Sequence, residues 1–220
     1  MGRSQYIGFL LWSIVLCAQR PPNELFPLTP LNQQQQMVLD KLSNRSVSTL
    51  SDAEKLTLAN IYLQARRYSE ALSFYDELCD RNPNRFVYQF GRGASAGFLL
   101  SGSPSFRSLR YVVQLRTSFE AAVRLQPNSL VARRALLNIY LGLPRLLGGS
   151  KAKAEQQLKA IQLINPLEGS LAGAIYAIKT NDQSAFDQQA QIAFHDSKHQ
   201  FEVNDSRYEL AMIAGHYFDD

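Results

Sequence analysis

The sequence predicts an all-α fold of stacked helical hairpins, and three observations lead there. Between Ala59 and Pro83, small, aromatic and proline residues fall at the spacing of two helices joined by a turn. The pattern that closes this stretch returns twice, as Phe119 to Pro127 and as Ala154 to Leu158 with Ile161 to Pro166. No extended run of alternating β-branched residues competes with the helical period. The hydrophobic fraction of 45% and charged fraction of 19% are those of an ordinary globular protein, and 220 residues can build one sizeable core. One repeat domain is expected.

In chain order, Arg3 precedes an apolar run from Ile7 to Leu16, followed by Cys17, Ala18 and a Pro- and Gln-rich stretch from Arg20 to Gln36. A bilayer span takes about 20 apolar residues, whereas a run of about ten suits the core of a secretory signal. Residues 1–18 are therefore expected to be a signal peptide or a lipoprotein-type signal, and 19–50 a linker with an N-terminal helix. Acylation of Cys17, cleavage near Ala18 and retention as a hydrophobic anchor stay open at this point, because Leu16 stands where both processing signals prefer a small residue. Membrane attachment through the N-terminus belongs to the first and third of these. The chain is expected to be exported, periplasmic or envelope-associated.

The repeat domain is expected over 51–220. Leu58, Ala59 and Tyr62 share one face of a first helix, and Ala71, Tyr75 and Leu78 one face of a second. Arg66 to Ser69 is the turn between them. Pro83 stops the second helix, since its ring and missing N–H forbid α conformation behind it. A lone hairpin of this kind cannot bury its apolar face, so the unit must recur. Pro83, Pro127 and Pro166 are 44 and 39 residues apart, against roughly 34 for an uninterrupted unit. Extra residues are therefore expected in the turns, at Gly97 to Leu109 and at Leu143 to Ala154, where Ser150 is a good N-cap. Tyr140 stands for Tyr62 in the third unit, Tyr176 with Ala185 marks a fourth, and Tyr208 to Phe218 reads as a capping helix.

These residues resemble the tetratricopeptide repeat (TPR) family, over about Ser51 to Asp220. Lys55 stands where the family's first helix usually carries Trp, and Ala59 where Gly is common. The resemblance implies a right-handed superhelix of about four hairpins whose first helices line a concave groove, and binding without catalysis or cofactor. In that register Asn60, Leu63 and Gln64, then Arg85, Tyr88 and Arg92, then Arg134 and Asn138 face the groove. Some TPR domains clamp a peptide's C-terminal carboxylate with a basic residue and an Asn so spaced, and Arg133 to Asn138 is similar to one element of that clamp. Asn60 holds the corresponding Asn position, with Leu56 in place of the basic residue. The candidate partner-binding residues are thus Asn60, Arg85, Arg92, Arg134 and Asn138.

Charge is unevenly distributed along the chain. Residues 85–160 carry twelve Lys and Arg against Glu120 and Glu155, while 161–220 carry three against nine acids. A single-sign block in a repeat stack attracts an anionic partner, so an acidic or C-terminal protein segment is the expected ligand. A solvated basic face without a specific ligand is the plainer alternative. The opposite sign further along also permits head-to-tail homo-oligomers.

Other chemistry finds little footing. Only Cys17 and Cys79 are present, so no disulfide is expected, and Cys79 reads as a small buried hydrophobe. His195 and His199 lie one helical turn apart without the Glu of a zinc-protease motif, and no metal is expected. Ser150 precedes Lys151, the reverse of a phosphate-loop order. No nucleic-acid module accompanies the basic centre. The segment Leu147 to Lys151, placed before a second helix, is similar to a feature of exported bacterial TPR proteins, including periplasmic components of some tripartite solute transporters. That second resemblance implies the alternative function: a solute-binding protein as partner and a small ligand in the groove.

Overall fold

A computed structural model of the chain describes residues 31–102 and 108–196. The apolar run at 7–16, His199 and the expected cap at 208–218 lie outside the described residues. The described helices are α1 (Gln33–Ser43), α2 (Asp52–Gln64), α3 (Tyr68–Arg81), α4 (Phe86–Gly102), α5 (Ser108–Leu125), α6 (Leu130–Gly142), α7 (Lys151–Ile164), α8 (Pro166–Lys179) and α9 (Gln183–Asp196), with 3-10 turns at Val47–Thr49 and Arg145–Leu147. They pair as four hairpins, α2/α3, α4/α5, α6/α7 and α8/α9. The helices group into two compact units, one through Pro127 and one from Asn128. A single repeat domain was expected; the division falls between α5 and α6.

In the first unit, α1 packs on α2, α2 on α3 and α4, α3 on α4, and α4 on α5. Local chemistry fixes the starts. Asn32 and Gln35 form a capping box on α1, and Ser51 and Glu54 form one on α2. The Ser51 backbone N–H and hydroxyl hold the Glu54 carboxyl below its ordinary range. α2 ends in a Schellman motif: Arg66 sits at φ 59°, the Arg67 N–H donates to Tyr62 O at 2.8 Å, and the Arg66 N–H donates to Leu63 O at 3.1 Å. The same closure ends α8, with Asn181 at φ 58° and the Asp182 N–H on Ala177 O at 2.9 Å. The first and fourth hairpins thus turn by the same device, and Asp182 then caps α9 through the Ala185 N–H.

The core of the first unit joins Leu39 and Leu42 of α1 to Leu58, Ala59 and Tyr62 of α2, Ala71, Tyr75 and Leu78 of α3, and Tyr88 of α4. Its tightest point is Gly91: a Cβ there would stand 2.1 Å from Tyr75 Cζ, so the ring occupies the space a side chain would need. Lys55 is fully buried and ion-paired with Glu77 of α3; Arg81 reaches Glu77 at 2.8 Å and Asp52 at 3.0 Å. Its methylene stem fills core volume while the ammonium finds a carboxylate.

The second unit is built round α8, which packs on α6, α7 and α9. Leu167, Leu171, Ala172, Ala174, Ala177 and Ile178 make it apolar on nearly every side, as a helix with neighbours on three flanks requires. Asn165 ends α7 and caps α8, with Pro166 as first helical residue, where its missing N–H costs nothing. The long turn after α6 is closed by Gly148 at φ 99° and by the Ser150 N–H on Tyr140 O at 2.9 Å, and Ser150 caps α7 as expected.

The other insertion departs from expectation. Gly97 to Gly102 continues α4 and Ser108 opens α5, so these residues lengthen two helices, of 17 and 18 residues, while 103–107 lie outside the described residues. Gly97 lets α4 approach Leu115 of α5, and Phe98 stacks on Tyr68 at 4.6 Å.

Gly91→Ala should lower stability by about 1–3 kcal/mol in denaturant unfolding, as overpacking does, while Gly142→Ala, which meets nothing within 4 Å, should leave stability unchanged or raise it. Lys55→Met should be tolerated, whereas Glu77→Ala should cost about 1–3 kcal/mol, less than the ~3–5 kcal/mol of a wholly buried pair because Glu77 is 36% exposed. Thermal melts of the two variants would rank them.

Candidate functional site

Asn60, Arg85 and Arg92 lie in the first unit, Arg134 and Asn138 in the second. Asn60 is an exposed residue of α2 whose Oδ1 accepts the Tyr75 hydroxyl at 2.6 Å. It lines an open cleft of about 280 Å³ between α1 and α2, to which α2 also gives Thr57, Ile61 and Gln64, and α1 gives Gln34, Gln35 and Val38. Gln35 Nε2 donates to Gln64 Oε1 at 2.7 Å across it. No charged side chain lines this cleft.

Arg85 is exposed just before α4, its guanidinium 5.4 Å from the centre of the Tyr88 ring. Arg92 points inward: Nε donates to Ser118 Oγ at 2.8 Å and Nη2 to Gln89 Oε1 at 2.9 Å, and Gln89 in turn holds Pro83 O at 2.8 Å. Arg134 pairs with Glu168 of α8 at 3.1 Å, both about a quarter exposed. Asn138, one turn on, is exposed. The basic block therefore divides. Arg92, Arg116, Arg133 and Arg134 are half-buried and bonded to Ser118, Glu120, Gln157 and Glu168, whereas Arg85, Arg124, Arg145, Lys151 and Lys153 stand exposed.

Beneath α4 and α5, Asp76 is half-buried, bonded to Gln114 Nε2 at 2.9 Å and to Arg110 at 3.3 Å; burial raises its carboxyl above the ordinary range against the pull of Gln114 and the arginines. Burial pushes the Cys79 thiol up to about 11, which favours the neutral thiol. Among the described residues no cluster of His, Cys, Asp and Glu could hold a metal ion, and no helix is long and apolar enough to cross a membrane.

No family model matches the sequence, and no curated protein matches it. Among solved structures, the chain is similar to TTC0263, a thermophilic TPR protein in Thermus thermophilus, with 16% identity, a TM-score of 0.57, and 92% of this chain and 97% of that chain covered. The fold is that of a TPR protein. At this identity the likeness carries the architecture of all-α helical repeats and no particular ligand.

Within the TPR fold, Lys55 fills the place of the usual Trp with a buried ion pair. Asn60 and Asn138 hold equivalent places in α2 and α6, inside Leu58-Ala59-Asn60-Ile61-Tyr62 and Leu136-Leu137-Asn138-Ile139-Tyr140. Sequence reasoning did not find Gln34, Gln35 and Val38, the α1 wall of the cleft. The Asn32/Gln35 capping box ahead of Val38, Leu39 and Leu42 was the signal that marked it.

Burial pushes the Tyr75 phenol from 10.0 up to about 12. The folded state thus favours the neutral phenol more than the unfolded state does, so this contribution is intact below pH 10.0 and lost as pH rises through about 12. Tyr75→Phe should lose the Asn60 hydrogen bond, at about 0.5–1.5 kcal/mol near neutral pH, yet show a shallower fall in stability than the parent across that alkaline window. Denaturant midpoints of both proteins against pH would measure it.

Proposed function

We propose that this is an exported TPR adaptor that binds an acidic or C-terminal segment of a partner protein through its basic central repeats. The observation that carries the reading is the charge: twelve Lys and Arg against two acids over residues 85–160, on a fold built to present helix faces. Exposed Arg85 and Arg124, and in the second unit Arg145, Lys151 and Lys153, supply cations at the surface. Asn60 and Asn138 offer amides, and Arg92 and Arg134 add field from positions where they are already bonded. The mechanism is binding alone, with apolar groove surface giving affinity and arginines giving specificity. The apolar run at 7–16 is read as the export signal. The solute-carrier alternative calls for a closed apolar pocket lined by the Phe98 to Phe106 stretch, of which 103–107 lie outside the described residues; the cleft on Asn60 is open and walled by amides.

The test is capture of partners by the tagged protein from the envelope fraction at low and moderate salt, beside an Arg85→Glu/Asn138→Asp variant. Reversal at Arg92 or Arg134 would also break the bonds to Ser118 and Glu168, so the exposed positions report more cleanly. The proposal expects a protein whose recovery falls about tenfold in the variant and falls with salt. Recovery indifferent to both, or a small molecule in place of a protein, would overturn it.

A further inference from the structure

Within the first unit the repeat order leaves one place unfilled among the described residues. Within each unit, a second helix and the first helix that follows it are covered by the first helix that precedes them: α2 lies on α3 and α4, and α6 lies on α7 and α8. α1 precedes α2 as α3 precedes α4, and the Gln35–Gln64 bond joins the first turn of α1 to the last of α2, so the two run antiparallel. α1 thus stands as a second helix. No described helix covers the α1/α2 pair, and the open cleft lies between these two helices, where such a cover would sit.

The same order says what type of helix this chain can offer. α9 is a second helix, so the next helix in sequence is a first one, and the spacing predicts it at Tyr208 to Phe218, outside the described residues. Its Leu210-Ala211-Met212-Ile213 repeats Leu58-Ala59-Asn60-Ile61 of α2 at three of four positions. Past Glu209, residues 210–218 hold no Asp, Glu, Lys or Arg, matching a cleft walled by Gln34, Gln35, Thr57, Asn60 and Gln64 over Val38 and Ile61. A first helix in mid-stack serves the repeats on both its sides, as α4 packs on α2 and α3 on one side and on α5 on the other.

We infer that the α1/α2 cleft receives the Tyr208–Phe218 segment of a second copy of this chain, so that copies join head to tail. That segment does for α1 and α2 of the next copy what α2 does for α3 and α4 within one. The contact is heterologous, so association is open-ended and rises with concentration.

Two variants test it by light scattering on the chain as isolated from its producing cell. Thr57→Arg with Gln64→Arg blocks the cleft at exposed positions, and Ala214→Arg alters the segment at the place Tyr62 holds in α2. A chain ending at Asp205 is the second form of the latter, with circular dichroism confirming that each variant folds. The parent should grow in mean mass over about a hundredfold rise in concentration, each variant alone should stay monomeric, and the two mixed should give a one-to-one dimer and nothing larger. The inference is overturned if the parent stays monomeric, if either variant alone still associates, or if the mixture stays monomeric, as it would were the cleft filled by the chain's own upstream residues.

Discussion

The inner helices here, α2, α4 and α8 among them, have more apolar surface than one neighbour can cover, and the arrangement of each unit follows from that constraint. A two-helix hairpin hides one flank of each helix and leaves another bare. Tyr75 shows the solution at atomic scale: the ring leaves its own hairpin and settles where Gly91 of the next has no side chain, while its hydroxyl turns back to Asn60. One residue thereby ties the packing of two hairpins to the orientation of a groove amide. α8 shows it at the scale of a helix, apolar on nearly every side because α6, α7 and α9 all lean on it.

Charge is handled in two ways that a count cannot separate. Half-buried Arg92, Arg133 and Arg134 hold helices together through Ser118, Gln157 and Glu168, and burial lowers the Arg133 pKa from its ordinary value. Exposed Arg81 and Arg110 also bridge helices, through Asp52 and Asp76, so exposure alone does not separate the two kinds. Lys55 is the extreme of the first kind, a charge placed in the core and made tolerable by Glu77.

The hairpins were legible because small and aromatic residues recur at helical spacing and prolines punctuate them, so α2, α3 and the Ser150 cap fell where the pattern put them. The proline spacing counted extra residues without saying whether they lengthen a turn or a helix, and only neighbours such as Leu115, against Gly97, decide which. The candidate site was legible as residue types and not as directions. Arg92 and Arg134 share helical registers with groove positions, but whether a guanidinium turns out or in depends on Ser118 and Glu168, 26 and 34 residues away. The α1 wall of the cleft escaped for a similar reason: it exists only where two helices distant in pattern meet.

The central claim is that stability here is built by neighbours covering neighbours, and native-state hydrogen exchange on dilute protein reads it helix by helix. Protection should be graded, slowest in α3 within the first unit and in α8 within the second, and fastest in α1, which among the described helices packs chiefly on α2. A uniform exchange rate across α1 to α5, or α1 as protected as α3, would contradict the account.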